Sequence, residues 1–105
     1  MVLSEDKLRD LVGRIVEASH PLRVVLFGSF ARGEAGPYSD IDVLVVVEEG
    51  SHRRHTAQQI YRNLLGFGES VDIVVATPSD LEQYAESPGL IYREAVRDGR
   101  ELYAA

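Results

Sequence analysis

The sequence predicts a small α/β (α+β) domain in which a mixed sheet of about three to four strands is packed against helices. Three short segments, at residues 23–27, 41–47 and 71–75, are almost wholly aliphatic and have the length of buried strands. The stretches around them carry apolar residues at the i, i+3, i+4 spacing of a helix. Turns that contain glycine or proline separate the two kinds of segment.

The length of 105 residues allows one hydrophobic core, so we expect a single domain over residues 1–105. Hydrophobic residues make up 45% and charged residues 27% of the chain, which is typical of globular proteins. The absence of cysteine excludes a disulfide framework and a thiolate zinc site. Because the first residues are acidic and no apolar run approaches the ~20 residues of a membrane span, we expect a cytoplasmic protein without a membrane partner.

The net charge of −6 restricts the partners of the protein. A field of this sign repels the phosphate backbone of DNA or RNA, so we expect no nucleic-acid polymer as a partner. A single nucleoside triphosphate is different, because metal ions and one or two arginines can neutralise its charge locally.

The first helix and the first strand are predicted from their ends and their apolar pattern. Ser4 is placed to cap a helix. The apolar stripe of this helix consists of Leu8, Leu11, Val12, Ile15 and Val16. His20 and Pro21 end the pattern, and the strand at residues 23–27 follows and leads directly into a glycine.

A short helix and a central strand are predicted next. Residues 29–32 have the composition of one helical turn or slightly more, and Gly33 is placed to end it. A polar loop then leads to Asp40. Because residues 41–47 are aliphatic at nearly every position, we expect this strand to be covered on both faces of the sheet.

The second half of the chain repeats the alternation of helix and strand. Residues 51–65 predict a helix that precedes the third strand. Residues 78–80 open a last helical region, in which the helical patterns 81–84 and 90–96 are separated by the Ser-Pro-Gly break at residues 87–89. The segment 101–103 is expected to pair at an edge of the sheet.

Three aspartates lie in or beside the predicted strands. Asp40 and Asp42 are two residues apart, and alternation along a strand directs both carboxylates to the same side. Asp72 interrupts the third aliphatic strand, and it joins the pair if the two strands are neighbours. Carboxylates held this close repel one another, and Mg²⁺ is the cation that such oxygen ligands prefer. Three carboxylates around two Mg²⁺ ions form a centre for phosphoryl or nucleotidyl transfer.

A glycine turn and an arginine are placed to bind phosphate. Gly28 and Ser29 leave a strand and open a helical turn, so their backbone N–H groups and the serine hydroxyl can approach a triphosphate. Arg32 follows one turn later and can reach the same phosphates, or it can pair with Glu34 or Asp40 and order the loop.

The motifs Gly28-Ser29-Phe30-Ala31-Arg32-Gly33 and Ser39-Asp40-Ile41-Asp42-Val43 resemble the signature of the DNA polymerase beta-like nucleotidyltransferase superfamily. The resemblance to the minimal members of that superfamily covers nearly the whole chain, and Asp72 matches their third carboxylate. It implies that Asp40, Asp42 and Asp72 are catalytic and bind two Mg²⁺ ions. It also implies that Gly28, Ser29 and Ser39 bind the nucleotide.

The resemblance further implies a partner protein. Minimal members are often antitoxins encoded beside a HEPN-domain toxin, and some transfer AMP from ATP to a tyrosine of that toxin. The expected function is therefore AMP transfer to a hydroxyl of a HEPN-domain partner, within a hetero-oligomer. Two alternatives stay open: a non-catalytic antitoxin that neutralises the partner by binding it, and a subunit that modifies a small molecule.

Two other features have both a functional and a structural interpretation. The basic run at residues 52–55 can touch a nucleotide or a partner, but a solvated helix start is favoured. Tyr38 can stack on a base or pack the loop that precedes Asp40.

Overall fold

The computed structural model describes residues 3–84 and 91–105, and four strands within them form one mixed sheet. The strands are β1 (Arg23–Phe27), β2 (Ile41–Val46), β3 (Val71–Ala76) and β4 (Arg100–Ala104). In space they follow the order β3, β2, β1, β4. β2 is parallel to β3, and β1 is antiparallel to both β2 and β4. The predicted small mixed sheet is confirmed, and the C-terminal segment does pair at its edge.

Five helices accompany this sheet in the described residues. They are α1 (Glu5–Ser19), α2 (Gly28–Arg32), α3 (Arg53–Asn63), α4 (Pro78–Tyr84) and α5 (Ile91–Asp98). Their bounds lie close to those predicted, and α4 begins at Pro78, within the segment predicted to open the last helical region. The predicted break at residues 87–89 lies outside the described residues. No helix in the described part of the chain has both the length and the apolar character needed to cross a membrane.

The two faces of the sheet bury two separate apolar clusters. The larger cluster lies under α1 and α3 and includes Ile41, Val43 and Val45 of β2. The smaller cluster lies on the opposite face, where Leu44 and Val46 of β2 pack near Ala95 of α5 and Leu81 of α4. Alternate residues of β2 therefore face opposite clusters, so the prediction of a strand covered on both faces is confirmed.

The first helix begins and ends where its sequence predicts. The Ser4 side chain accepts a hydrogen bond from the Lys7 N–H at 3.1 Å, which satisfies one of the backbone donors at the helix start. At the other end, His20 adopts the left-handed region with φ 45°, and its N–H bonds to Val16. The buried side chains Leu8, Leu11 and Ile15 then lie on one stripe against the sheet.

A reciprocal hydrogen-bond pair stabilises the start of α4. The Thr77 N–H donates to the Asp80 carboxylate at 3.0 Å, and the Asp80 N–H donates to the Thr77 hydroxyl at 3.3 Å. Arg53 of α3 donates to the same carboxylate at 2.7 Å. The hydrogen bond from the Thr77 N–H, assisted by Arg53, holds the pKa of Asp80 below its ordinary value.

Asp80→Ala is expected to lower the free energy of unfolding by about 1 kcal/mol at neutral pH, the usual cost of losing a helix cap. Because folding lowers the pKa of Asp80, its contribution is present above the unfolded pKa of ~3.9 and is lost as the pH falls through the folded value. Urea unfolding at a series of pH values measures this, with exposed Glu82→Ala on the same helix as control. An Asp80→Ala effect that does not diminish at all as the pH falls into the acid range would contradict the assignment.

Candidate nucleotidyl-transfer site

The register of the two parallel strands brings Asp42 and Asp72 side by side. Asp42 of β2 pairs with Asp72 of β3, and on its other side Asp42 lies opposite Phe27 of β1. Directly paired residues on neighbouring strands project from the same face of a sheet. The side chains of Asp42 and Asp72 are therefore neighbours on one face of the sheet, as the sequence predicted.

Asp40 adds a third carboxylate from the loop immediately before β2, where its side chain is exposed. Partial burial, and then the negative charges of Asp72 and Asp40, raise the pKa of Asp42 above its ordinary value. The three predicted carboxylates thus act on one another electrostatically. The negative charge of the three aspartates is not neutralised by the described side chains nearby. In the described part of the chain, Glu94 raises the pKa of Asp42 further, and Arg32 alone lowers it.

Asp72 is exposed, although it interrupts an otherwise aliphatic strand. The reason is its position: β3 is an edge strand, and Asp72 is its second residue. Asp42 is only half-buried, at the corresponding position of the inner strand β2. The site therefore opens to solvent on the side of Asp72 and is more enclosed around Asp42.

The three aspartate carboxylates are suitable ligands for a hard divalent cation such as Mg²⁺. This ion is coordinated by carboxylate oxygens and keeps several bound waters. In residues 3–84 and 91–105, no three Asp, Glu or His side chains are drawn together closely enough to hold a metal ion as they stand. Mutual repulsion gives a physical reason, because like charges have no cause to converge without a cation between them. Asp40, Asp42 and Asp72 fit Mg²⁺ by their chemistry and their shared location.

Gly28 packs directly against Asp42. It has φ +74°, and a Cβ built on it would lie 2.2 Å from Asp42 Oδ2. Any larger residue would therefore strain the backbone and displace the central carboxylate of the site. The sequence predicted that glycine allows phosphate to approach; the structure shows in addition that it allows Asp42 to approach.

Ser29 and Ser39, which were also predicted to bind the nucleotide, lie in the short helix that begins at Gly28 and in the loop before β2. Ser29 is half-buried in the first turn of α2, and its carbonyl accepts from the Glu34 N–H at 2.9 Å. The Ser39 hydroxyl accepts from the Gly36 N–H at 2.9 Å and so helps to fix the loop that carries Asp40.

Arg32 forms salt bridges with Glu34, at 3.1 Å, and with Glu94 of α5. The pairing with Glu34 matches the structural alternative that the sequence left open, whereas no bridge to Asp40 is formed among the described residues. Glu94 was not predicted. It is 62 residues from Arg32 and is one of 17 acidic residues in the chain, so nothing local in the sequence distinguishes it.

Two ambiguous features are resolved by their positions. The side chain of Tyr38 is 96% exposed, so the interpretation that it packs the loop is wrong. The basic run at residues 52–55 lies at the start of α3, beyond the end of β2 that is opposite the aspartates. It is exposed, and Arg53 bonds to Asp80, as expected for a solvated helix start.

Comparisons with known proteins find relatives of this chain. A protein of Methanocaldococcus jannaschii that bears the provisional name protein adenylyltransferase is 31% identical over 72 residues, which cover 64% of this chain. The matched region is 49% of that relative, so the chain spans about half the length of the curated protein it matches.

Solved structures share the fold at lower sequence identity. A protein of Sulfolobus solfataricus, described provisionally as a nucleotidyltransferase, superposes with a TM-score of 0.63 at 22% identity, over 93% of this chain and 78% of that one. A chain of a toxin–antitoxin complex crystallised with AMP-PNP gives a TM-score of 0.60 at 19% identity, over 93% of this chain and 73% of that one. The family model of the nucleotidyltransferase domain matches residues 5–100, and the chain therefore belongs to the nucleotidyltransferase family.

Proposed function

We propose that the protein transfers AMP from ATP to a hydroxyl group of a partner protein and releases pyrophosphate. The observation that carries this proposal is the pairing of Asp42 with Asp72 in register on one face of the sheet, with Asp40 beside them and Gly28 against Asp42. Family membership supports nucleotidyl transfer in general. The adenylyltransferase name of the relative and the ATP analogue in the solved complex favour ATP as the donor.

In the proposed reaction the acceptor oxygen forms a bond to the α-phosphorus, and the bond from that phosphorus to the bridging oxygen of pyrophosphate breaks. Two Mg²⁺ ions held by Asp40, Asp42 and Asp72 would supply charge neutralisation for the triphosphate and the leaving pyrophosphate. Exposed Asp72 lies on the open side of the site, where it can accept the proton of the acceptor hydroxyl. Gly28 and Ser29 form the turn beside Asp42, and their backbone N–H groups would bind the phosphates.

The proposed acceptor is a toxin partner, with this protein as its antitoxin. A toxin–antitoxin complex is among the structures that share the fold, and the family resemblance points to a HEPN-domain protein. The net charge of −6 disfavours a nucleic-acid acceptor.

The test is intact-mass spectrometry of the protein together with whatever co-purifies from its native host, after incubation with Mg²⁺ and each nucleoside triphosphate in turn. With ATP, we expect the mass of the partner to increase by one adenylyl group, which is the mass of AMP less one water. The same incubation with Asp42→Asn should leave the partner unchanged. A stable complex whose masses never change would contradict the enzymatic proposal and favour an antitoxin that acts by binding alone.

A further inference from the structure

The guanidinium of Arg32 is held by two carboxylates that come from different parts of the chain. Its Nε donates to Glu34 Oε2 at 3.1 Å, in the loop that follows α2. Its Nη1 donates to Glu94 Oε1 on α5, a helix that packs beside α2. The Nε end of the guanidinium is therefore held by a residue close in sequence. The Nη1 end is held by a residue of a second helix, α5.

These contacts determine which N–H groups of Arg32 can bind a ligand. A guanidinium has five N–H donors in a planar fork, and the two bonds occupy Nε and one side of Nη1. Among the described residues, no hydrogen bond from Nη2 is formed. Three N–H donors remain, two of them on Nη2, and the fork therefore presents the Nη2 amino group in a fixed plane to an additional oxygen.

The pair lies within electrostatic reach of the aspartates. The charges of Arg32 and Glu94 both act on Asp42, in opposite directions. Arg32 is also one helical turn beyond Ser29, on the same short helix that begins at Gly28. An arginine at this place can reach a phosphate that lies against the Gly28 turn.

We propose that Glu94 is a positioning residue for nucleotide binding: through its salt bridge, it holds Arg32 so that Nη2 faces a phosphate oxygen of the bound nucleoside triphosphate. The inference rests on the proposed function. The side chain of Arg32 is 40% exposed, and without Glu94 only its contact with the more exposed Glu34 would restrain it. More rotamer freedom would then be lost when a phosphate binds. Glu34 cannot replace Glu94, because it binds the opposite edge of the fork.

The test is the dissociation constant of ATP in the presence of Mg²⁺, measured by calorimetry for wild type, Glu94→Gln, Arg32→Ala and the double variant. Glu94→Gln is expected to weaken binding by about fivefold, a typical coupling between two residues in contact. In the Arg32→Ala background the same change should leave binding unchanged or tighten it, because Glu94 then only repels the triphosphate. Glu101→Gln is the matched control, since it removes a similarly exposed carboxylate from the Arg23 salt bridge on the sheet.

The possible results show whether this inference fails alone or together with the proposed function. If wild type does not bind ATP, the proposed function fails and the inference fails with it. If wild type binds and Glu94→Gln binds equally well or more tightly, only the inference is overturned. Equal weakening in both backgrounds would also overturn it, because Glu94 would then act independently of Arg32.

Discussion

Asp42→Asn is expected to abolish nucleotidyl transfer and at the same time to raise the thermal stability of the protein. The loss of activity should be roughly a thousandfold or more, because a metal centre contributes several kcal/mol to stabilisation of the transition state. The gain in stability follows from burial and from the charges of Asp72 and Asp40, which disfavour the ionised Asp42 carboxylate. Asparagine keeps the shape of the side chain and removes the charge.

The stability that Asp42→Asn gains is expected to depend on pH, because the gain arises from removal of an ionised carboxylate. Folding raises the pKa of Asp42, so the ionised group destabilises the fold at neutral pH and the penalty disappears as acid protonates it. The difference in Tm between Asp42→Asn and wild type should therefore be largest near neutral pH and shrink on acidification.

Calorimetric melting with and without MgCl₂ tests the same assignment without an activity assay. Mg²⁺ should raise the Tm of wild type and have little effect on Asp42→Asn, because an ion that binds only the folded state stabilises it. Glu48→Gln, which removes an exposed charge just after β2, controls for the overall charge of the protein. Retained turnover in Asp42→Asn would disprove the role of this residue.

Gly28→Ala is expected to impair both the fold and the site. The left-handed φ of +74° costs about 1–2 kcal/mol for a residue with a Cβ. The new methyl group would in addition lie 2.2 Å from Asp42 Oδ2, so the carboxylate must move. We expect a loss in unfolding free energy greater than the backbone cost alone, and a loss of transfer activity even at temperatures where the variant is fully folded.

Gly33→Ala separates the backbone cost of a left-handed φ from the effect of displacing Asp42. Gly33 has nearly the same φ, +72°, but a Cβ there would meet nothing within 4 Å. This variant should therefore show the backbone cost without the displacement of Asp42, and it should keep most of its activity. Denaturant unfolding and turnover are compared for the two alanine variants. Equal losses in both quantities would show that contact with Asp42 is not the reason for glycine at position 28.

The sequence was sufficient to predict the strands and to single out three aspartates as candidates, because both leave strong local signals. Aliphatic runs at residues 41–47 and 71–75 indicate buried strands, and a carboxylate within or next to such a run is unusual enough to stand out. Ser4 and Gly33 marked helix ends correctly because capping is a local interaction.

The rest of the site depends on contacts between residues far apart in the chain. The salt bridge between Arg32 and Glu94 requires α5 to pack beside α2, which no periodicity encodes. The exposure of Asp72 follows from the edge position of β3, and strand order cannot be read from strand composition. The contact of Gly28 with Asp42 likewise arises only once β1 and β2 are paired.

The parallel pairing of β2 with β3 links assembly of the site to folding itself. Val71, Ile73 and Val75 of β3 are buried under α1 and α3, while Asp72 between them faces the other way. A slip of β3 by one residue would remove these three side chains from that cluster and turn Asp72 into it, where an unpaired carboxylate is strongly disfavoured. A sheet in the wrong register is thus destabilised by both changes at once. Asp42 and Asp72 are therefore aligned by the packing of the core, because that packing disfavours a shifted register of β2 and β3.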